Sequence, residues 1–140
     1  MPLTSLPSPP PGAVARARRR YAGAGAEAPS SERLVVLLYE RLLRDLDDAT
    51  VALSEGRSAH EPLTHAQEIV DALDTALDTS SWSGAEGLSA LYQHLISELV
   101  AANLERDARR VAACREVVAP LADAWKAAWV ELNTGGVAGS

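Results

Sequence analysis

His60, His65, His94, the aspartates Asp71, Asp74 and Asp78, and the single cysteine Cys114 are the side chains whose types could support metal binding or catalysis. His60 and His65 stand five residues apart. On a helix that spacing puts them on different faces, whereas ligand pairs sharing a face are three or four apart. Surface histidines are the simpler account. The three aspartates do share a face, at i, i+3 and i+7, and in principle suit a hard divalent cation. With no second carboxylate cluster or carbonyl-rich loop beside them, a solvated acidic face explains them better. Cys114 falls on the apolar stripe of its segment, so it reads as a small buried hydrophobe rather than a nucleophile. No glycine-rich phosphate loop, no GxSxG and no Cys/His pair at ligand spacing is present. The arginines at 41, 44, 106, 109 and 110 fall at helix ends or on polar faces. The expectation is a protein with no catalytic residues, no metal and no cofactor.

The elements that would carry these residues are helical. Four segments repeat apolar residues at three- and four-residue spacing. The first follows Pro29, with Ser30 as N-cap and Glu32 in its first turn, and carries Val35, Leu38, Leu42, Leu46, Ala49 and Leu53 to a stop near Gly56. The second opens on SAHE, where Ser58 and Glu61 have capping-box spacing, and carries Leu63, Ala66, Val70, Leu73 and Leu77. The third opens on SGAE, with Ser83 and Glu86 in the same relation, and carries Leu88, Tyr92, Leu95, Leu99 and Ala102. The fourth is capped by Asp107 and carries Val111, Cys114, Val118, Leu121, Trp125 and Leu132. Pro120 lies within it and should kink or break the helix near Glu116. Four striped helices with short connections predict an all-α fold, an antiparallel four-helix bundle over residues 30–133. Residues 1–29, rich in Pro, Gly and Ala, read as a flexible extension, and 134–140 as a disordered C-terminus.

The chain has more apolar surface than four core stripes need. Leu34 to Tyr39 is an unbroken run of six apolar residues, so it is apolar all round the helix. Val36, Tyr39 and Leu43 form a second stripe beside the core stripe of the first helix. Ile69, Ala72 and Ala76 do so on the second, and Ile96 and Val100 on the third, while Trp129 extends beside Trp125 on the fourth. A helix wedged between two neighbours buries a wide face, which accounts for some of these residues. Flanking stripes on several helices point further, to grooves ready for an amphipathic helix from a partner.

Composition narrows the classes. The net charge of −6 hides an asymmetry: Arg16, Arg18, Arg19 and Arg20 against Glu27 give the first 29 residues a balance of +3, which leaves −9 on the rest. An acidic body is a poor match for nucleic acid, whose affinity rests on phosphate neutralisation. The RARRR cluster reads as a solvated tail, or as a segment for phosphates or an acidic surface. A lone cysteine excludes an internal disulfide and fits a reducing compartment. No apolar run approaches the ~20 residues that span a bilayer, and the N-terminus lacks the pattern of a signal peptide. The expected location is the cytoplasm, with no membrane insertion.

Four motifs in order carry a resemblance. Tyr21 is followed nine residues later by Ser30 and SSERLVVLLYERLLRDL; then come AQEIVDALDTALD, LSALYQHLISELVAAN at 88–103, and LADAW at 121–125. The set resembles the flagellar secretion chaperone FliS family from Tyr21 to about Leu132, where members read SPEELVxMLYDGAxRxL, AxxIIxxLxxxLD, LxxLYxxxxxxLxxAN and LxxAW. The resemblance implies a four-helix bundle that binds the C-terminal segment of newly made flagellin in the cytoplasm and prevents premature polymerisation before export. Other flagellar export or regulatory proteins are further candidate partners. It also implies that the segment before the first helix can cover the bundle, with Tyr21 as the anchor of that cap. The family's QQTQV after the tyrosine is AGAGA here, Ala26 stands for an expected Val, and the Pro-rich extension with RARRR has no counterpart in the pattern. Partner contacts inferred from the flanking stripes and motif residues are Val36, Tyr39, Leu43, Ile69, Ala72, Tyr92, Ile96, Val100, Asn103, Trp125 and Trp129. Two other readings predict different features. A small helical enzyme binding an acidic metabolite needs Arg or Glu at core positions, and the stripes hold none. An adaptor acting through RARRR needs salt-sensitive binding that truncation of the tail abolishes.

Overall fold

The computed structural model describes residues 30–77 and 83–138, with the side chains of 135–138 excepted. Four helices follow one another: α1 (Ser31–Ser54), α2 (His60–Ala76), α3 (Ala85–Glu105) and α4 (Ala108–Ala138). Each packs on its two neighbours, α1 on α2 and α4, α3 on α2 and α4, which makes a four-membered bundle. Cross-helix pairs run in opposite order along adjacent helices. On α1 and α4, Arg33 stacks over Trp129 while Asp47 pairs with Arg115. On α2 and α3, His60 meets Asn103 while Asp74 meets Ser89 and Gln93.

The core is aliphatic and comes from the striped positions. Leu38, Leu42 and Leu46 of α1, Leu63, Ala66 and Val70 of α2, Leu95 and Leu99 of α3, and Val111 and Val118 of α4 are all buried in one cluster, with Cys114 among them. At ~25 cal/mol per Å² of apolar surface removed from water, each of the larger side chains contributes on the order of 2 kcal/mol. Leu53, Leu77, Leu88, Leu121 and Trp125 pack against its edge. Leu132 departs from the expected stripe: it is 46% exposed, because α4 there has run past the cluster formed by the other helices.

Helix ends follow local chemistry, with two corrections. Ser30 caps α1 as expected, its hydroxyl accepting from the Arg33 N–H at 3.1 Å. Asp107 caps the start of α4 by accepting from the Arg109 N–H at 3.0 Å. The two expected capping boxes do not form. α2 starts one residue late with Ala59 as N-cap, and Ser58 instead accepts from the His60 N–H at 3.2 Å. α3 starts after Gly84, with no side-chain cap. Spacing alone cannot place Ser at the cap position when the backbone turn brings another residue there. Gly56, at φ 73°, turns the chain out of α1, and Arg106, at φ 52°, adopts the same left-handed conformation between α3 and α4.

Pro120 neither breaks nor ends α4, which continues through it to Ala138, five residues beyond the bundle limit read from the sequence. Pro120 itself is exposed, while Val118 and Ala122 on either side are buried. Burial of the flanking face holds the helix together across the hydrogen bond that proline removes.

Candidate partner-binding surface

The expected contact residues do not converge on one patch. Val36 and Leu43 stand seven apart, and Leu43 is four residues before Asp47, which pairs with Arg115 at 2.7 Å. They therefore face the seam between α1 and α4. Ile69 and Ala72 follow His65 by four and seven residues, and His65 pairs with Asp45, so they face the seam between α1 and α2. Ile96, Val100 and Asn103 share the side of α3 that carries Gln93, and Asn103 bonds His60 at 2.9 Å. Those three belong to the seam between α2 and α3. Trp125 and Trp129, both half-buried, occupy α4, the second of them beneath the Arg33 guanidinium at 4.8 Å from the ring centroid.

Burial separates the set further. Val36, Tyr39, Ile69 and Tyr92 are fully buried. Leu43, Ala72, Ile96 and Asn103 are half-buried, and Val100 is 39% exposed. Leu104, which the sequence reading did not select, is 80% exposed. It stands four residues after Val100 and eight after Ile96, so α3 carries a continuous apolar row that runs from Ile96, packed against the core at the α2–α3 seam, out to the exposed Val100 and Leu104. The clue was in the sequence, since LISELVAANL repeats the spacing, but Leu104 lies two residues beyond Ala102, where the third core stripe ends. Tyr21, the expected cap anchor, lies outside the described residues.

Tyr39 and Tyr92 do something the sequence reading missed. Their hydroxyls are 2.5 Å apart in the interior, joining α1 to α3 across the bundle. Burial pushes the Tyr39 phenol up to about 12, against the lowering influence first of Tyr92 and then of Trp125, and burial likewise raises Tyr92, with the Tyr39 hydroxyl adding to it. Both remain neutral donors over the physiological range. Asp74 of α2, read as part of a solvated acidic face, accepts from Ser89 Oγ at 2.6 Å and from Gln93 Nε2 at 2.5 Å. It fastens α2 to α3 near the tyrosine pair.

A second polar cluster closes the other end of the α1–α2 seam. Asp45 is 1% exposed and was not singled out by its sequence position. His65 Nδ1 lies 2.5 Å from its Oδ2, and Arg41 Nε lies 3.3 Å from its Oδ1. His65 is thus a cross-helix partner rather than a plain surface histidine. Burial raises the Asp45 carboxyl above its ordinary pKa, against the lowering effects of His65 and then Arg41, with Asp48 adding a small upward push. Beside this cluster opens a cleft of about 500 Å³, lined in part by Asp48, Arg57, Glu61 and Pro62. Cys114 is buried and its thiol is pushed up to about 11, chiefly by burial, so it carries no thiolate chemistry. Among the described residues no group of His, Cys, Asp and Glu is arranged to hold a metal ion, and no helix is long and apolar enough to cross a membrane.

A bundle whose motif tyrosines bond inside it, with an apolar row left outside, can be set beside known proteins. The family model described as "Flagellar protein FliS" matches residues 14–131. The chain belongs to the FliS family. Among curated relatives, the flagellar secretion chaperone FliS of Escherichia coli K12 is 28% identical over 121 residues, covering 81% of this chain and 89% of that protein. All four helices of the bundle, up to Glu131 of α4, lie inside the match to FliS, and so do Tyr21 and the RARRR cluster.

Proposed function

We propose that this protein is a non-catalytic chaperone of flagellar secretion, acting in the cytoplasm without a cofactor and holding the C-terminal segment of flagellin before export. FliS membership and the name of its Escherichia coli relative support the chaperone part of this reading. The observation that carries the binding part is the Ile96–Val100–Leu104 row, an apolar stripe at helical spacing in which the bundle leaves Val100 and Leu104 exposed. An amphipathic segment laid along it buries its own apolar face, which otherwise drives subunit association. Asn103 and the half-buried Leu43, Ala72, Trp125 and Trp129 are further contacts, reached if the segment continues round the bundle. Val36, Tyr39, Ile69 and Tyr92 act as the layer beneath. Tyr21 serves as the anchor of a cap that the bound segment displaces. Association coupled to folding of the segment spends part of the interaction energy on ordering it, which keeps the complex releasable.

Calorimetric titration with a peptide from the C-terminus of the same organism's flagellin tests this. One-to-one binding with a dissociation constant below about 1 µM and a negative heat-capacity change is expected. Absence of heat, together with unperturbed amide resonances along α3 at peptide excess, would overturn the reading.

A further inference from the structure

The distribution of charge over the helices is uneven in a way that the proposed function does not use. From Ser58 to Glu105, which includes all of α2 and α3, the sequence holds eight carboxylates and no Lys or Arg. Every cation lies in the N-terminal 29 residues, in α1 and the turn after it, or from Arg106 onward. Some of the eight are occupied: Asp74 bonds Ser89 and Gln93, and Glu98 and Glu105 pair with Arg110. Glu68 and Asp71 are different. They stand three residues apart on the outer side of α2, both exposed, and neither has an ion pair among the described residues. Glu61, nearer the start of α2, lies instead in the cleft that Arg41 and Arg57 also line. Beyond that cleft the outer face of α2 is a surface of one sign.

The chain supplies a matching segment. Arg16, Arg18, Arg19 and Arg20 put four guanidinium groups within five residues. Nine residues separate Arg20 from Ser30, and the ten steps between their Cα atoms reach up to about 33–36 Å when extended. Asp45 is fifteen residues into the chain from Ser30, which a rise of ~1.5 Å per residue sets about 22 Å along α1, and its partner His65 fixes the level of α2 there. Neighbouring helix axes lie ~8–10 Å apart. Glu68 and Asp71, on the α2 turns that follow His65, are therefore within reach of the arginines without strain.

We propose that the Arg16–Arg20 segment docks on the acidic outer face of α2, at Glu68 and Asp71, of its own chain. Guanidinium groups match carboxylates in bidentate geometry, and two such sites side by side select a clustered cation over a single one. The contact is exposed, so it is screened by salt and exchanges readily. It holds the N-terminal segment against the bundle by charge, independently of any apolar anchor, and it stands whether or not flagellin is the partner.

A nitroxide attached at Ala17→Cys in the full chain, with Cys114 buried and unreactive, reads the contact through paramagnetic broadening of α2 amides. Broadening at Glu68 and Asp71 is expected in about 0.05 M salt, falling several-fold in about 0.5 M salt. It should vanish in the Glu68→Lys/Asp71→Lys variant, whose exposed substitutions leave the fold intact. Equal broadening on α2 and α4, or broadening indifferent to salt and to the charge reversal, overturns the proposal. So does broadening that appears only when labelled chains are mixed with isotope-labelled, nitroxide-free ones, since that places the segment on a second copy.

Discussion

Tyr39 and Tyr92 show how a motif residue can matter without touching a partner. Each hydroxyl is buried, and each finds the other at 2.5 Å. Removing one leaves the other short of a partner in an apolar interior, which costs more than the bond itself contributes. Tyr39→Phe should destabilise the bundle by about 1–3 kcal/mol. The Tyr39→Phe/Tyr92→Phe double variant should lose less than the two single losses together, because both orphaned groups are gone. Urea unfolding of the three variants measures this. Strict additivity would mean that the two hydroxyls do not share a bond in solution. Asp45 gives a second test, through pH. Burial raises its folded-state pKa above the unfolded value, so the native chain holds the proton more tightly. Its stabilising share is complete below the unfolded value and is lost as pH rises through the folded one. The stability of the wild-type chain relative to Asp45→Asn should therefore fall as pH is raised from about 4 across that interval. Urea titrations at stepped pH read the difference. A gap that widens with pH instead would show the pairing with His65 and Arg41 outweighing burial.

At the scale of the element, helix ends separate what spacing reveals from what it does not. Ser30 accepts the Arg33 N–H, whereas Ser83, which has the capping-box spacing that Ser30 lacks, makes no cap bond because Gly84 holds the cap position. Ser30→Ala should cost about 1 kcal/mol and Ser83→Ala only a few tenths, a contrast that thermal melts resolve. The same logic explains which parts of this fold could be read beforehand. The bundle and its core were legible, because Leu42, Leu46, Leu63, Val70, Leu95 and Val118 recur at the helical period and burial follows that period. The continuity of α4 was not, because Pro120 is a local signal overridden by packing of Val118 and Ala122 on the buried face. Asp45 was not legible either. It stands between Leu42 and Leu46 on the inward side, but its burial depends on a histidine twenty residues away. The candidate contacts were legible only as apolar positions. Whether such a position looks inward, as Ile69 does, or outward, as Val100 does, depends on which neighbour covers it, and one helix read alone does not contain that information.

At the scale of the whole molecule, the seams decide which surface is free. The polar cross-links are not spread evenly. Asp47–Arg115 closes the α1–α4 seam, Asp45–His65 the α1–α2 seam, and Glu98–Arg110 the α3–α4 seam. On the α2–α3 side, Asp74 and His60 tie the two helices together, but the row Ile96, Val100 and Leu104 rises above these ties toward the exterior. Among the described residues the other exposed large apolar groups do not form such a row: Val130 and Leu132 stand two apart near the end of α4. Val51, 49% exposed, stands at the rim of the charged cleft between α1 and α2, among Asp48, Arg57 and Glu61. A partner that docks by apolar burial should therefore sense α3 and ignore Val51. Replacing Val100 with Glu puts a charge into the contact, and burying it there without a partner is costly. Since Val100 is already partly in water, the fold should tolerate the change. A loss of at least about tenfold in affinity for the flagellin segment, roughly 1.4 kcal/mol or more, is expected at an unchanged melting temperature. Val51→Glu, somewhat more exposed and equally charged, should leave affinity within about twofold of the parent. Equal losses at both positions would mean that net charge governs the association. Loss at Val51 alone would move the contact to the cleft between α1 and α2.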